Sequence, residues 1–208
     1  MRIMNQYYEI DHFEPKEDIR RICKAARICY KSSELKTYEE QCKFVAWLRD
    51  KDPDNPHMSP FEHSNLSVIF YTNRGVTHEF VRHRLISPNQ ESTRYCNYSL
   101  DKFNRDITFI RDSAVREADL SKWLDDCEDC ESRYFRRLND GYTPEQARGV
   151  LNNDVKAEIY ITANWREWRH IFKLRCSKSA HYQFRELLIP LYEEVSKAVP
   201  CVFDDIKF

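Results

Sequence analysis

The scarcity of glycine is the strongest constraint on what this chain can fold into. Its 208 residues contain only three glycines, at positions 75, 141 and 149. Neither the G-x-G-x-x-G turn of dinucleotide-binding folds nor the glycine-rich loop of P-loop proteins can be written with them. If the chain binds phosphate groups, its side chains must therefore supply much of the contact that backbone amides supply in those folds.

Hydrophobic patterning predicts helices and strands that do not alternate regularly. Helical spacing and capping signals predict helices over 15–30, 37–49, 76–84, 118–138, 164–174 and 179–198, with a further helix start at Thr143. Runs of β-branched and aromatic residues predict strands over 65–72, 107–110 and 157–162. A polar, proline-bearing loop is predicted over 51–60. This order favours the α+β class, with helices packed on a mainly antiparallel sheet.

Composition limits the class of protein and its compartment. The chain has 33 Lys and Arg against 34 Asp and Glu, which argues against a nucleic-acid coat or a polybasic membrane protein. No linker or internal repeat divides the sequence, so we expect a single domain over 1–208. The chain opens without an apolar run long enough for a signal peptide or a spanning helix, and we expect a cytoplasmic protein without membrane contact.

The eight cysteines are expected to be reduced thiols, several of them buried as small apolar residues. Cys127 and Cys130 have the spacing of metal ligands. They lie, however, inside a helical pattern with no second Cys or His pair nearby, so we expect no metal site there.

The run over 82–95 carries the densest set of ligand-binding side chains. Its arginines can grip phosphates through paired, charge-assisted hydrogen bonds, and its Ser, Asn and Gln residues can read a base or a ribose. Pro88 disfavours helix at Ser87, which predicts an extended loop that could wrap a ligand. A solvated charged turn is the alternative for a segment of this composition.

The order of residues in this run decides between these readings. Arg82-His83-Arg84 is followed by seven residues and then Ser92, with Arg94 and Tyr95 in register. The pattern closely resembles the signature of flavin-dependent thymidylate synthases. Further segments of the chain also resemble that family, and the likeness is weakest between about residues 100 and 140. These segments are 25–30, 57–63 and 162–176.

The resemblance implies a fold, an activity and an assembly. It implies the flavin-dependent thymidylate synthase fold and the reductive methylation of dUMP to dTMP. Methylenetetrahydrofolate would give the carbon, and FAD, recharged by NADPH, would give the hydride that side chains cannot supply. It also implies a homotetramer whose active sites are shared between subunits.

The same resemblance implies which residues bind the nucleotide. The expected dUMP contacts are Glu79, Arg82, Gln90, Glu91, Ser92, Arg94, Arg148 and Arg175. Arg175 matches the arginine that favours ionisation of the uracil imide, and it is the expected catalytic residue. A cation about 4 Å from a forming anion gives roughly 4 kcal/mol at an effective dielectric constant of 20.

A second set of residues is implied to bind the flavin. The expected FAD contacts are His57, Ser59, Glu62, Arg82, His83, Arg84, Gln90, Asn164, Arg166 and His170. Taken alone, His57 and His63 would be structural histidines, and the resemblance moves His57 to the flavin site. Trp165 and Trp168 lie at helical spacing and are expected in the core.

Ser92 has two readings from the residues alone. It could be a nucleophile, but no Ser/His/Asp order is evident and a lone serine needs an adjacent base. We therefore expect Ser92 to hydrogen-bond the phosphate or the base.

Other activities remain open at this level. The aromatic residues and the arginine-rich run could grip single-stranded nucleic acid, although acidic residues balance the charge and no RNA-binding signature occurs. A flavoprotein of another activity, or a family member that has lost activity, is the remaining alternative. Bound flavin and nucleotide-dependent turnover separate these possibilities.

Overall fold

The structure is a computed structural model that describes residues 1–52 and 56–208, so residues 53–55 of the predicted loop lie outside the described part. Its strands are β1 Arg2–Met4, β2 Tyr7–His12, β3 Asn65–Asn73, β4 Ile86–Gln90, β5 Thr108–Ile110 and β6 Lys156–Asn164. Its α-helices are α1 Pro15–Tyr30, α2 Tyr38–Asp50, α3 Arg74–Phe80, α4 Leu120–Asn139, α5 Pro144–Ala147, α6 Trp165–Arg175, α7 Tyr182–Ala198 and α8 Pro200–Phe203. Short 3-10 helices cover Ser59–His63, Asp101–Phe103, Glu117–Asp119 and Arg148–Val150.

The strands form two sheets. A four-stranded, mainly antiparallel sheet has the order β2-β3-β6-β4, and β1 pairs with β5 in parallel. The predicted α+β class with helices and a mainly antiparallel sheet is confirmed.

Residue contacts divide the chain into two compact units. The first unit comprises Met1–Tyr8, Ile69–Arg82 and Pro88–Tyr160, and the second comprises Glu9–Val68, His83–Ser87 and Ile161–Phe208. The expectation of a single domain stays a prediction.

The first unit is built around the long helix α4. This helix buries Trp123, Cys127, Cys130 and Tyr134, which recur every three or four residues and therefore lie on one face. The Cys130 thiol donates a hydrogen bond to the carbonyl of Val150 at 3.4 Å. The two closely spaced cysteines thus belong to the apolar face of the helix. The prediction that several cysteines are buried is confirmed for Cys23, Cys127, Cys130 and Cys176.

The core of the second unit is aromatic. Trp165 and Trp168 on α6 are fully buried, as predicted, and Trp165 packs against Phe203 on α8. The indole nitrogen of Trp168 donates to the carbonyl of Leu66 at 2.9 Å, so its only polar group is satisfied inside the core. Helix α6 is therefore fixed along its buried face.

The segment that leads into the arginine-rich run differs from the prediction. The side chain of Asn73 accepts a hydrogen bond from the amide of Val76 at 2.8 Å, so α3 begins at Arg74 rather than at 76. Gly75 lies inside this first turn, where a Cβ would approach the Asn73 side-chain oxygen to 3.2 Å. The helix ends at Phe80, which leaves residues 82–84 in the turn that follows.

The predicted extended loop after Ser87 is in part a strand. Ile86–Gln90 forms β4 at one end of the strand order. Proline is tolerated at a sheet edge because its missing N–H need not pair there, which is compatible with Pro88 in this strand. The extended backbone was predicted correctly, whereas its place in the sheet was missed.

Both ends of the chain also hold elements that the pattern did not predict. Strands β1 and β2 precede the first predicted helix. The last long helix begins at Tyr182 rather than at 179, and the short helix α8 follows it. In the part of the chain that the structure describes, no helix is both long and apolar enough to cross a membrane.

The capping box of α2 gives a test of local stability. The Thr37 hydroxyl accepts from the amide of Glu40, while the Glu40 carboxylate accepts from the amide of Thr37 at 3.0 Å. We expect Thr37→Ala to lower the free energy of unfolding by about 1 kcal/mol, measured by urea denaturation. Thr37→Ser keeps the hydroxyl and should lose much less. Equal losses in the two variants would contradict a capping role.

Candidate active site

The expected nucleotide contacts, apart from Arg175, lie in the first unit. Arg82 and Arg94 are exposed, while the remaining members of the first-unit set are half-buried. The Gln90 amide is held by a hydrogen bond from its Nε2 to the Thr77 hydroxyl at 2.9 Å. Gln90 and Glu91 also line a hollow of about 440 Å3 together with Tyr71 and Tyr160. The structure therefore brings part of the predicted set to the edge of one cavity.

Arg94 and Arg148 come from distant segments that meet in the first unit. Arg94 forms an ion pair with Glu145 at 3.1 Å, and Arg148 donates to the Thr93 hydroxyl at 3.4 Å. The Arg94–Glu145 pair is about half exposed on both sides, so it contributes little stability and can be exchanged for an anionic ligand. The segment that carries Arg94 therefore contacts the segment that carries Arg148, so two of the predicted phosphate-binding cations lie in the same region of the first unit.

Glu91 has strong partners within the protein. Its carboxylate accepts from the Tyr98 hydroxyl at 2.9 Å and from Lys156 Nζ at 3.1 Å. Burial, together with the adjacent carboxylate, raises the pKa of Tyr98 far above its usual range. Burial alone would lower the pKa of Lys156, but its hydrogen bond to Glu158 and the charge of Glu91 outweigh burial and raise the pKa. The Glu91 side chain therefore anchors the turn that carries Ser92.

Arg175 lies in the second unit, at the last position of α6, and is half-buried. Its Nε donates to His83 Nε2 at 3.1 Å, and its guanidinium lies 5.1 Å from the ring centroid of Phe184. The cation is thus fixed against an apolar ring on one side and an imidazole on the other. Such an environment strengthens its effect on a nearby anion because it excludes water.

His83 is the buried residue of the Arg-His-Arg triplet. Its neighbours Arg82 and Arg84 are exposed, whereas His83 retains 7% exposure. Burial, with the charges of Arg175 and His170 adding to it, lowers the pKa of His83 to about 4. The ring is therefore neutral at pH 7, and its Nε2 can accept the hydrogen bond from Arg175.

The expected flavin contacts, apart from Arg82 and Gln90, lie in the second unit. Arg166 forms an exposed ion pair with Glu62 at 2.6 Å, which joins two members of the set. Asn164 caps α6 by accepting from the amide of Glu167 at 2.8 Å. His57 is half-buried, Ser59 is exposed, and His170 is exposed with its ring 5.8 Å from that of His83. Guanidinium, imidazole and amide groups of this kind can donate hydrogen bonds to phosphates and to the polar edge of a ring system such as a flavin.

A cluster with metal-ligand geometry also occurs in the described ranges 1–52 and 56–208. Ligand atoms of His83, Glu167 and His170 lie within 4.8 Å of one another. Both nitrogens of His83 already face partners, since Nε2 accepts from Arg175 and Nδ1 lies 3.4 Å from Glu167. The guanidinium of Arg175 adds a positive charge beside the cluster, which opposes a cation. We therefore interpret the cluster as a set of polar contacts around His83.

Comparison with known proteins identifies the family. A family model described as thymidylate synthase complementing protein matches residues 10–201. The chain belongs to this family. The match includes every member of the predicted nucleotide and flavin sets.

Relatives of the chain are named flavin-dependent thymidylate synthases, which are methyltransferases. The protein of Geobacter sulfurreducens is 32% identical over 87% of this chain and 78% of its own length. The protein of Pyrococcus furiosus is 36% identical over 73% of this chain and 60% of its own length. That of Mycobacterium bovis is 30% identical over 88% and 77%.

A solved structure supports the fold assignment. The chain is similar to a UMP/dUMP methylase, PolB, from Streptomyces cacaoi, whose crystal structure holds 5-Br dUMP. The TM-score is 0.78 with 20% sequence identity, over 98% of this chain and 96% of that chain. The chain thus shares the fold of this methylase along almost its whole length.

Three residues that contact members of the expected site and hold them in place were not predicted from the sequence. Tyr98 and Lys156 hold Glu91, and Glu167 lies against His83. One signal for Glu167 was available, because it lies between Trp165 and Trp168 on a helix whose aromatic face is buried. No motif distinguished Tyr98 or Lys156 from ordinary surface residues.

The neutral state of His83 predicts a pH dependence of stability. Its pKa is about 4 in the folded chain against an ordinary value of 6.5, so between these values the unfolded chain binds a proton that the folded chain excludes. The free energy of unfolding should therefore fall as the pH drops from 6.5 to 4, by up to roughly 3 kcal/mol from this residue. His83→Gln should remove this part of the slope in urea denaturation at several pH values. The control His78→Gln changes an exposed histidine and should keep the slope.

Proposed function

We propose that this chain is a flavin-dependent thymidylate synthase that converts dUMP to dTMP by reductive methylation. The methyl carbon comes from methylenetetrahydrofolate, and FAD, with NADPH as the reductant, takes part as cofactor. The proposal rests on the family match over residues 10–201, which spans both predicted site sets. The geometry of Arg175 in the second unit supports it.

The nucleotide is bound through side-chain cations and neutral hydrogen-bonding groups. Arg82, Arg94 and Arg148 offer guanidinium groups to the phosphate, which suits a chain with too few glycines for a phosphate loop. Ser92 hydrogen-bonds the phosphate or the base. The turn that carries Ser92 is held by the Glu91 carboxylate, so this contact is positioned before the nucleotide arrives.

Arg175 acts on the pyrimidine ring. Its fixed positive charge stabilises the anion that forms when the uracil imide loses its proton, and the electron density of this anion raises the nucleophilicity of the ring. An interaction of roughly 4 kcal/mol favours the ionised form about a thousandfold. The neutral His83 ring accepts a hydrogen bond from the Arg175 Nε–H and adds no positive charge of its own.

FAD would be held by the expected flavin contacts of the second unit. His57, Arg84 and His170 offer donors to its polar edges, and Arg166 can exchange its exposed pairing with Glu62 for a phosphate of the cofactor. When bound, the flavin supplies a hydride, which amino-acid side chains cannot do. The role of the chain is to bind and orient it.

The enzyme works as a cytoplasmic homotetramer with active sites shared between subunits, and it binds neither nucleic acid nor membrane. Large apolar side chains on the surface support such an assembly, including Ile28 at 67% exposure, Leu85 at 68% and Tyr95 at 76%.

Tritium release tests the proposed reaction directly. Methylation at the ring carbon must displace the hydrogen there, so deoxyuridylate labelled with tritium at that carbon should release label to water. We expect release only when FAD, methylenetetrahydrofolate and NADPH are all present. Purified protein should also show visible flavin absorbance that denaturation releases. A colourless protein that ignores added flavin and shifts oligonucleotides would instead indicate a nucleic-acid-binding module.

Arg175→Ala tests the assignment of the catalytic cation. Loss of the charge should reduce tritium release at least a hundredfold, because about 4 kcal/mol of stabilisation is removed. The flavin content of the purified variant should stay at the wild-type level. Lys173→Ala, an exposed cation on the same helix, is the matched control and should retain activity. Unchanged turnover of Arg175→Ala would contradict its role.

A further inference from the structure

Glu167 is a buried carboxylate to which the proposed reaction assigns no task. It lies in the first turn of α6, and 6% of the residue is exposed. Burial raises its pKa, against the opposing charges of His170 and Arg166. A carboxylate is rarely buried to this extent without a partner, because its desolvation must be offset by specific contacts.

Glu167 is linked through the His83 ring to Arg175, the expected catalytic residue. Its carboxylate Oε1 lies 3.4 Å from His83 Nδ1. On the other side of the same ring, His83 Nε2 accepts from Arg175 Nε at 3.1 Å. Since Nε2 accepts, the single proton of the neutral ring is on Nδ1 and faces the carboxylate.

The order of these groups has a chemical consequence. In the opposite tautomer, His83 would present an N–H to the guanidinium, and two donors would face each other. A carboxylate accepts hydrogen bonds but cannot donate one when ionised, so Glu167 favours the tautomer in which Nε2 is an acceptor. Glu167 and Arg175 lie on one helix about 12 Å apart along its axis, and the His83 ring joins them from a separate segment.

We propose that Glu167 is a positioning residue that holds the Arg175 guanidinium in place through the tautomer of His83. This inference rests on the proposed function for its consequence in catalysis. The hydrogen-bond order itself can be measured without turnover. The arrangement follows a general rule for histidine: a hydrogen-bond partner at one ring nitrogen fixes the tautomer and therefore decides whether the other nitrogen can accept.

Nitrogen NMR of the protein labelled with 15N-histidine tests the hydrogen-bond order. The His83 resonances, assigned by their loss in His83→Gln, should report the tautomer protonated at Nδ1 in the wild type at pH 7. Glu167→Met replaces the carboxylate by an apolar chain of similar length and should shift the ring toward protonation at Nε2. Glu167→Gln keeps an acceptor oxygen and should preserve the wild-type tautomer. A wild-type ring protonated at Nε2 or at both nitrogens would overturn the proposal, even if Glu167→Met failed to fold.

Kinetics then test the consequence for Arg175. Glu167→Met should lower kcat for tritium release at least tenfold while KM for dUMP changes less than threefold, because the phosphate contacts are untouched. Glu167→Gln should recover most of the activity, and Lys173→Met should retain it. Wild-type kcat in a folded Glu167→Met variant would overturn the positioning role. A wild type that shows the expected tautomer but no dUMP-dependent release would count against the proposed function and leave the measured hydrogen-bond order in place.

Discussion

The hydrogen bond from Arg175 to His83 depends on burial of the imidazole. Desolvation keeps the ring neutral, and only a neutral ring can accept from a guanidinium. The burial depends in turn on α6, whose aromatic face is fixed in the core and whose first turn is capped by Asn164. Packing of the aromatic core thus sets the charge state of the imidazole that accepts the hydrogen bond from Arg175.

The arginines of this chain divide between two physical environments. Arg82 and Arg84 flank His83 and are exposed, so water screens them until a ligand covers them. Arg175 is half-buried against Phe184, where its charge acts at a lower effective dielectric constant. Exposed guanidiniums suit the capture of a phosphate, whereas a partly desolvated one suits the stabilisation of an anion that forms during the reaction. The few glycines are consistent with this reliance on side chains.

Much of the fold could be predicted because its signals are local. The capping boxes at Thr37 and Thr143 and the Asn164 cap mark helix starts that the structure reproduces. The strand β4 could not be recognised, because Pro88 argues against a strand until the neighbouring strand and the sheet edge are known. The start of α3 was missed because Gly75 signals a break, whereas the Asn73 cap places Gly75 inside the first turn of the helix.

For the candidate site as well, residues with a local sequence signal could be predicted and residues that depend on the fold could not. Motifs of fixed order predict a set of ligand-binding side chains, Arg175 among them, and these assignments stay predictions. Such motifs do not reveal what holds those side chains, since the Glu91 carboxylate is held by Tyr98, 7 residues further along the chain, and by Lys156, 65 residues further along. Glu167 is the instructive case. Its charge suggests a solvated helix position, but the tryptophans on either side place it on the buried face, and a buried carboxylate beside a neutral imidazole has a defined direction for its hydrogen bond. Through His83, the buried face of α6 is therefore linked to the Arg175 guanidinium.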